Sequence, residues 1–362
     1  MREYFSEIKD ARQSWKVEHN LHEIIIMTIC AVISGLDHWE DIADFCRAKE
    51  TWFKERLGLN LEKGVASHDT FSRVFQLMNP KEFERCFVEW VKSIVVKTDG
   101  EIVSIDGKTS RGSKSIRTPI HMVSAWANKN RLVLGQVKTD DKSNEITAIP
   151  TLLDMLDLKG CIVTIDAMGC QKDIAGKIVK QDADYVFGLK GNQASLNEDV
   201  RLYFETEEVT NTTTTFDDGH GRIERRTYTL ETNVDWLFQK PEWPGLQAIG
   251  MVKSVVEEKE KKTEEIRYFI TSLTDVKKFG EAVRGHWGIE NSLHYCLDVT
   301  FNEDKNRTRK DNSAENFAVV RHIALNVLKN FETPQKMSLA RKRRKCQYDA
   351  DFMADVLIAC VG

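Results

Sequence analysis

The hydrophobic periodicity of the chain changes near residue 100, and this change limits the folds that the chain can adopt. Before it, apolar residues recur at helical spacing, which predicts amphipathic helices. After it, short apolar or alternating runs lie between turn residues, which predicts β-strands. The sequence therefore predicts an N-terminal helical domain over residues 1–98 and a sheet-containing domain over residues 99–330.

The N-terminal domain is expected to be a small bundle of five short helices. Within it, Ala66–Phe75 has a capping residue ahead of an amphipathic helix that carries Ser72 and Arg73. This pattern resembles the second helix of a helix-turn-helix, but an ordinary capped bundle helix fits it equally well. The five expected segments are Leu21–Ile33, Trp39–Phe45, Trp52–Leu57, Phe71–Met78 and Phe83–Val95.

The next part of the chain predicts the element order β-β-β-α-β-α-β. Crossovers between parallel strands are right-handed, so the strands that end at Asp106 and Asp166 should lie side by side in one mixed sheet. This is the ribonuclease-H-like order, in the mixed α+β class. The predicted strands are 102–105, 121–127, 131–138, 161–165 and 185–189, and the predicted helices are 145–156 and 171–181.

Residues from 192 to about 265 depart from this order and predict a β-rich insertion whose last strand rejoins the core. A long helix is expected from Lys277 through Leu297, and another from Ala314 to Lys329. Residues 331–362 predict a basic C-terminal tail that ends in an apolar helix, Ala350–Ala359.

Composition and charge indicate the compartment in which the protein is expected to act. The formal net charge of -4 gives no indication of a nucleic-acid partner, so any such prediction depends on how the charges are distributed. The eight cysteines lie scattered without zinc-ligand spacing, which indicates a reducing compartment. The N-terminus lacks the apolar region of a signal peptide, and the most apolar stretch, Ile24–Ile33, is too short to span a bilayer. We expect a cytoplasmic protein, associated with the nucleoid when it binds DNA.

Two carboxylates carry the chemical prediction. Asp106 and Asp166 each follow an apolar strand, a position where a lone aspartate is often only a turn former. Two such carboxylates on neighbouring strands repel each other unless cations hold them. Hard divalent ions fit that role, and two ions roughly 3.5–4 Å apart can stabilise both the attacking and the leaving oxygen of a phosphodiester displacement. We therefore expect Mg²⁺, two ions, with Mn²⁺ as a substitute.

The helix near residue 290 is the expected source of a third carboxylate. Ile289, Leu293 and Leu297 recur at one-turn spacing and should pack on the sheet, which leaves Glu290 at the edge of the cleft. A solvated helix face explains Glu290 equally simply. Asp298, about two turns further along, ranks second, and Glu281, Glu303 and Asp304 are further competitors.

Five segments resemble the H-repeat-associated insertion-sequence transposases, and the resemblance covers nearly the whole chain from Trp15–His19 onwards. It implies a DDE transposase with a ribonuclease-H-like catalytic core, in which Asp106, Asp166 and Glu290 bind the metals. It also implies double-stranded DNA as partner, both as element ends and as target, and a homodimer that holds the ends together. The segments are Ser104–Thr109, Lys142–Pro150, Ile165–Gln171, Leu189–Gln193 and His286–His294.

The chain departs from the wider superfamily around its glutamate. There the pattern is Tyr-x2-Arg-x3-Glu-x6-Lys, but the matching places here hold Val283, His286, Glu290 and Leu297, so only the glutamate is shared. The narrower family usually has His-Trp-x-x-Glu-Asn, which this chain matches. We expect substitutes for the missing Arg and Lys among Arg284, His286 and His294.

Basic residues near the predicted cleft are candidates for DNA contacts, since phosphate contacts fix the position of DNA without reading its sequence. The run from Arg341 to Lys345 is the most concentrated and would add salt-dependent affinity. A solvated charged surface is the alternative for each of them. Further candidates are Lys108, Arg111, Lys190, Arg307 and Arg309, and the run comprises Arg341, Lys342, Arg343, Arg344 and Lys345.

The function expected from these features is transposition: metal-dependent hydrolysis at the ends of the element releases 3′-hydroxyls, which then attack target DNA. Two alternatives stay open from the sequence. One is a metal-dependent nuclease or resolvase that cuts without joining, and the other is a catalytically silent DNA-binding relative of a transposase.

Overall fold

The computed structural model describes residues 2–96, 98–111, 119–139, 145–219, 222–258 and 261–359, so residues 142–144 of the family segment Lys142–Pro150 lie outside it. The five predicted N-terminal helices are confirmed, and a short helix precedes them. Side chains cap three of their starts, with Asn20, Ser67 and Asn79 accepting from backbone N–H groups of the first turn. The helices are α1 Arg2–Phe5, α2 Leu21–Ile33, α3 Trp39–Ala48, α4 Glu50–Leu57, α5 His68–Leu77 and α6 Pro80–Ile94.

The N-terminal helices share one apolar core with the last three helices of the described chain, α12 Ser313–Asn330, α13 Leu339–Tyr348 and α14 Ala350–Ile358. α12 is buried along nearly its whole length, as α2 is. Residues 331–362 were expected to form a separate tail. Instead, their helices close the core of the N-terminal helices, because Cys346, Met353 and Val356 are buried in it.

Within the described residues, nine strands form one sheet in the order β3-β2-β1-β4-β5-β9-β8-β7-β6. β1, β4 and β5 are parallel, and β2 and β3 are antiparallel to their neighbours, which confirms the predicted ribonuclease-H-like order. The predicted β-rich insertion extends the same sheet, and its last strand, β9, pairs with β5 as expected. The strands are β1 Ile102–Thr109, β2 His121–Ala127, β3 Leu132–Thr139, β4 Ile162–Ile165, β5 Asp184–Leu189, β6 Thr212–Gly219, β7 Arg222–Glu231, β8 Ala248–Glu258 and β9 Lys261–Thr271.

Helices cover both faces of the central strands. α7 Glu145–Met155 and α8 Lys172–Lys180 pack against one face, in a core that includes Val103 and Val163. α10 Val276–Gly288 packs against the other face, and its Phe279 is buried with Ile162. α9 Ala194–Thr206 was not predicted, because it lies at the start of the segment whose composition indicated strands. No helix among the described residues is long and apolar enough to cross a membrane.

The outer edge of the sheet, β3, is covered by side chains of two helices. The carboxylate of Glu84 on α6 accepts from the N–H of Gln136 at 2.9 Å. The amide of Asn326 on α12 accepts from the N–H of Val133 at 2.8 Å and donates to its carbonyl at 2.9 Å. These contacts satisfy backbone groups that an open edge would offer to another strand.

Candidate active site

The two aspartates predicted to be catalytic stand at matching positions of neighbouring parallel strands. In the register of β1 and β4, Ile105 lies opposite Ile165. Asp106 is the next residue of β1, and Asp166 is the residue that directly follows β4. The sheet therefore brings both carboxylates to the same edge, as the sequence predicts.

The alternation of side chains along β1 places Asp106 on the face that α10 covers. Ser104, two residues earlier, donates a hydrogen bond from its hydroxyl to the carbonyl of Gly285 at 3.3 Å. Gly285 lies on α10, the helix that leads to Glu290. The predicted third carboxylate thus belongs to an element packed beside the two aspartates.

Backbone N–H groups of the residues that directly follow hold one oxygen of each aspartate. The Asp166 Oδ1 atom accepts from the N–H groups of Met168 at 3.0 Å and Gly169 at 3.3 Å. The Asp106 Oδ1 atom accepts from the N–H of Gly107 at 2.9 Å. Asp166 is exposed, whereas the side chain of Asp106 is only 22% exposed. These backbone hydrogen bonds orient both carboxylates.

The electrostatic environment of Asp106 is strongly acidic. The pKa of Asp106 is raised to about 7, chiefly by burial and in addition by the charges of Asp166, Glu145 and Glu290, while the N–H of Gly107 opposes the shift. Such crowding of carboxylates disfavours their charged forms. A cation bound among them would relieve the repulsion.

Glu290 lies in a π-helical segment, Ile289–His294, that follows α10 and precedes α11 Tyr295–Val299. The single helix predicted over Lys277–Leu297 is therefore wrong in detail, since it is interrupted at the predicted catalytic residue. π-Helical turns inside helices occur frequently at functional sites. Ile289 and Leu293 are buried as expected, and Glu290 is exposed in a cleft of about 620 Å³ that Asp166 also lines.

The competing carboxylate, Asp298, has a different partner. The ammonium of Lys108 lies 2.7 Å from Asp298 Oδ1 and 2.8 Å from Glu303 Oε2. Burial alone would raise the pKa of Glu303, but the charges of Lys108 and Arg321 outweigh it and lower the pKa. This ion-pair cluster engages Asp298 and supports Glu290 as the third member of the site.

A buried polar network fixes the approach of α10 to the sheet. The Thr164 hydroxyl donates to Ser104 Oγ at 3.1 Å and lies 3.0 Å from Nδ1 of His286. The amide of Asn128 donates to the same Ser104 oxygen at 2.9 Å. A Cβ atom at Gly288 would clash with Asn128 Oδ1, so a larger residue there would have to displace the Asn128 amide.

The two histidines proposed as substitutes for the missing Arg and Lys are both within the site. His286 lines the cleft, and burial lowers its pKa. The Nδ1 atom of His294 lies 3.6 Å from Asp106 Oδ2, and burial lowers the pKa of His294 to about 4, with the charge of Lys108 adding to the decrease. Both imidazoles are therefore neutral near pH 7, which suits hydrogen bonding more than charge neutralisation.

The three carboxylates have the hard oxygen donors that Mg²⁺ prefers. Burial and crowding at Asp106 also favour a bound cation. Within the described ranges, however, no three His, Cys, Asp or Glu side chains stand close enough together to hold a metal ion. The donors fit a divalent cation by their chemistry, and closing the site around one requires side chains to rotate.

The predicted basic residues around the cleft differ in their surroundings. Lys190 is exposed and lines the cleft. Arg284 is exposed and forms an ion pair with Asp217 at 2.8 Å, while Arg111 lies at the surface with its N–H donating to Asp304 at 2.9 Å. Lys108 is held in the ion-pair cluster described above. Lys190 is thus the predicted cation that faces the cleft most directly.

The basic run on α13 divides into two sets. Lys342 donates to the carbonyl of Leu328 at 2.8 Å, and Arg343 donates to the carbonyl of Val32 at 2.8 Å, so both are buried and hold the helical core together. These two are not available for DNA in this fold, contrary to the expectation for the whole run. Arg341 and Arg344 are exposed, and Lys345 is half-buried.

Two further features near the cleft escaped prediction. The ring of Trp287, in the cleft wall, has the guanidinium groups of Arg226, Arg267 and Arg284 at 5.1, 5.5 and 5.9 Å from its centroid. Arg226 and Arg267 lie on strands of the insertion, so a sequence window around the glutamate does not include them. The second feature is Glu145, a buried carboxylate that contributes to the acidity around Asp106.

Two family models and one solved structure are similar to this chain. A family described as "Transposase DDE domain" matches residues 97–327, and one described as "DDE_Tnp_1-associated" matches residues 2–91. A cryo-EM structure of the piggyBac transposase synaptic complex with hairpin DNA aligns with 97% of this chain and 76% of its own, with a TM-score of 0.46 and 13% identity.

Relatives in Escherichia coli are more similar. The "H repeat-associated putative transposase YhhI" of strain K12 is 44% identical over 98% of this chain and 97% of its own. A shorter relative, the "Inactive transposase YbfQ" of the same strain, is 47% identical over 20% of this chain and 83% of its own. Because the domain match spans the sheet that carries Asp106 and Asp166, and the full-length similarity extends to both helical ends, the chain belongs to the H-repeat-associated transposases of the DDE family.

Proposed function

We propose that this protein cuts DNA at the ends of an insertion sequence and joins the released 3′-hydroxyls to target DNA. The observation that carries the proposal is the placement of Asp106 and Asp166 at matching positions of two parallel strands, with Glu290 beside them. These residues would hold Mg²⁺ or Mn²⁺, which activates the attacking oxygen and neutralises charge on the transferring phosphate.

The chain itself supplies positioning and charge. The N–H of Gly107 on β1 and the turn after β4 orient the two aspartates. Lys190 and Arg267, both exposed in the cleft wall, offer charged donors to the phosphates on either side of the scissile bond. His286 and His294 are neutral and can donate or accept hydrogen bonds at the reacting oxygens. Because two ends must be held together for joining, we also propose that the protein acts on double-stranded DNA as a homodimer.

The test uses purified protein and a duplex that ends in the inverted repeats flanking the gene. Asp106→Asn, Asp166→Asn and Glu290→Gln should each abolish cleavage and joining with Mg²⁺ while leaving the fold intact. Glu281→Gln, a matched exposed change on α10, should retain full activity. Wild-type rates in a correctly folded Asp106→Asn or Asp166→Asn protein would contradict the proposal.

The products also separate the alternatives. Element ends covalently joined to a second DNA support a transposase, whereas cut but unjoined ends support a nuclease or resolvase. Isothermal titration with Mn²⁺ gives a readout besides activity. DNA binding without any metal binding or cleavage would support a silent DNA-binding relative.

A further inference from the structure

A second cavity lies away from the carboxylates, where the start of α3, the exposed side of α5 and the loop before α12 meet. It has a volume of about 360 Å³. We call it the Ser313 groove, and define it by Ser72, Gln76, Arg307, Arg309, Lys310 and Ser313. We propose that this groove binds the phosphate backbone of duplex DNA outside the catalytic cleft.

The first support is a buried hydroxyl that lacks a partner. Ser313 is 1% exposed, and its Oγ atom has no hydrogen-bond partner among the described residues. Buried hydroxyls are normally satisfied, because leaving one unsatisfied costs about 1–3 kcal/mol. Ser313 lines the cavity, so a ligand with acceptor oxygens is a natural partner for it.

Helix starts provide the second support. Ser313 is the first residue of α12, an 18-residue helix, and the side chain of Asn312 makes no capping bond to it. His38 and Trp39 at the start of α3 line the same cavity, and His38 makes no capping bond either. The N–H of Ser313 donates to the carbonyl of Lys310 at 3.0 Å, and the other first-turn N–H groups, which neither capping side chain satisfies, favour anions, phosphate above all.

Charge is the third support. Arg307, Arg309 and Lys310 are all exposed on the loop that forms one wall. Among the described lining residues, Glu40 is the acidic one, so the groove carries a positive balance. Three cations around one groove match the charge of a DNA backbone.

The loop that carries these cations is held in place at both ends. The amide of Asn306 donates to the carbonyl of Asp37 at 2.9 Å, and the amide of Asn312 donates to the carbonyl of Met78 at 3.3 Å. Earlier in the same loop, Glu303 Oε2 lies 2.8 Å from the ammonium of Lys108, a residue of β1 two positions after Asp106. The loop that forms the groove is thus tied by an ion pair to β1, the strand that carries Asp106.

The inference rests on the proposed function, so the experiment separates the two. Binding of a fluorescein-labelled, mixed-sequence duplex is followed by anisotropy over a range of KCl concentrations. The variant Arg307→Ala/Arg309→Ala/Lys310→Ala should bind about tenfold more weakly or worse, and the slope of log K against log[KCl] should fall in magnitude by about 2–3. The matched control, Lys129→Ala/Lys159→Ala/Lys180→Ala, removes three exposed lysines at the opposite end of the sheet and should keep the wild-type slope.

A second variant tests the hydroxyl without changing charge. Ser313→Ala should weaken DNA binding by about three- to tenfold, which is the contribution of a single hydrogen bond, and should leave the salt slope unchanged. Its unfolding temperature should equal or exceed that of the wild type, because an unsatisfied buried hydroxyl is removed.

Two outcomes count against the inference in different ways. If the wild type binds DNA and the Arg307/Arg309/Lys310 variant binds it with the same affinity and slope, the groove is not a DNA site, while the proposed function stands. If the wild type binds no DNA at all, the proposed function fails together with the inference.

Discussion

The Nε2 atom of His121 lies 2.6 Å from the Oε1 atom of Glu145, and both side chains are buried beside Gly107, the residue after Asp106. On its other side, the His121 ring contacts the hydroxyl of Thr109 at 2.8 Å. The pair leaves no room at Gly107, where a Cβ atom would stand 2.4 Å from both partners. The backbone of Gly107, whose N–H donates to the Asp106 carboxylate, therefore packs against this buried pair.

Removing one member of the His121–Glu145 pair should destabilise the fold. We expect Glu145→Ala to lower the free energy of unfolding by about 2–4 kcal/mol, because His121 loses its buried acceptor. Glu145→Gln keeps an acceptor oxygen and should lose less. Urea denaturation measures both values, and equal losses in the two variants would argue against a role for the hydrogen bond.

The close approach of α10 to the sheet predicts the effect of Gly288→Ala. The added methyl group must displace Asn128, whose amide donates to Ile102 at 3.1 Å and to Ser104. We expect a loss of about 1–3 kcal/mol in stability, as for overpacked interiors, and reduced cleavage because Glu290 shifts. Gly191→Ala, at a glycine with open space around it, is the matched control and should leave stability within about 1 kcal/mol.

Substitution of Lys108 tests whether this cation stabilises the fold or contacts DNA. Lys108→Ala leaves the buried carboxylate of Glu303 without its closest partner, so we expect a loss of about 3–5 kcal/mol in unfolding free energy. Lys108→Ala/Glu303→Gln should recover part of it. If Lys108→Ala instead unfolds like the wild type and reduces only the salt dependence of DNA binding, Lys108 acts on DNA.

The pH dependence of stability should contain a contribution from Glu84. Burial raises the pKa of Glu84 to about 8, although the N–H of Gln136 opposes the shift. A raised folded-state pKa means that the folded protein holds this proton between the unfolded pKa, near 4.5, and about 8. Stability is therefore fully present below that window and falls as pH rises through it, by up to about 1.4 kcal/mol per unit.

Glu84→Gln removes that titration while keeping an acceptor for Gln136. The variant should gain stability relative to the wild type as pH rises from 5 to 8, a range set by the pKa near 8. Parallel unfolding curves for the two proteins across this range would contradict the prediction.

Metal binding predicts a shift in thermal stability. Mg²⁺ or Mn²⁺ should raise the unfolding temperature of the wild type relative to protein in EDTA, because a ligand that binds only the folded state stabilises it. Asp166→Asn should lose most of this shift. Glu281→Gln should retain it, and an equal shift in Asp166→Asn would place the metal elsewhere.

Local patterns were sufficient to predict the central strands of the sheet, including the two that lead to Asp106 and Asp166. Ile102–Ile105 and Ile162–Ile165 are short, apolar and followed by aspartate, so strand ends and their chemistry could be predicted together. The crossover rule then places the two strands side by side. The observed register of Ile105 opposite Ile165 agrees with that prediction.

Other features depend on contacts between distant segments. The periodicity over Lys277–Leu297 is continuous, so nothing local indicates that Gly288 must meet Asn128 and that a π-helical segment follows. Arg343 looks like a surface cation beside other basic residues, yet its partner is the carbonyl of Val32 at the far end of the chain. The ring of cations around Trp287 likewise forms only when the insertion strands join the sheet.

The shared core of the first and last helices has a consequence for how the protein is made. The N-terminal helices leave the ribosome before α12, α13 and α14. Their apolar faces therefore stay exposed until these later helices are synthesised and pack against them. The strands of the central sheet are complete earlier and can assemble while synthesis continues. A frameshift or stop codon late in the gene would thus expose the apolar faces of the N-terminal helices to aggregation and proteolysis, although the codons for Asp106, Asp166 and Glu290 were unchanged.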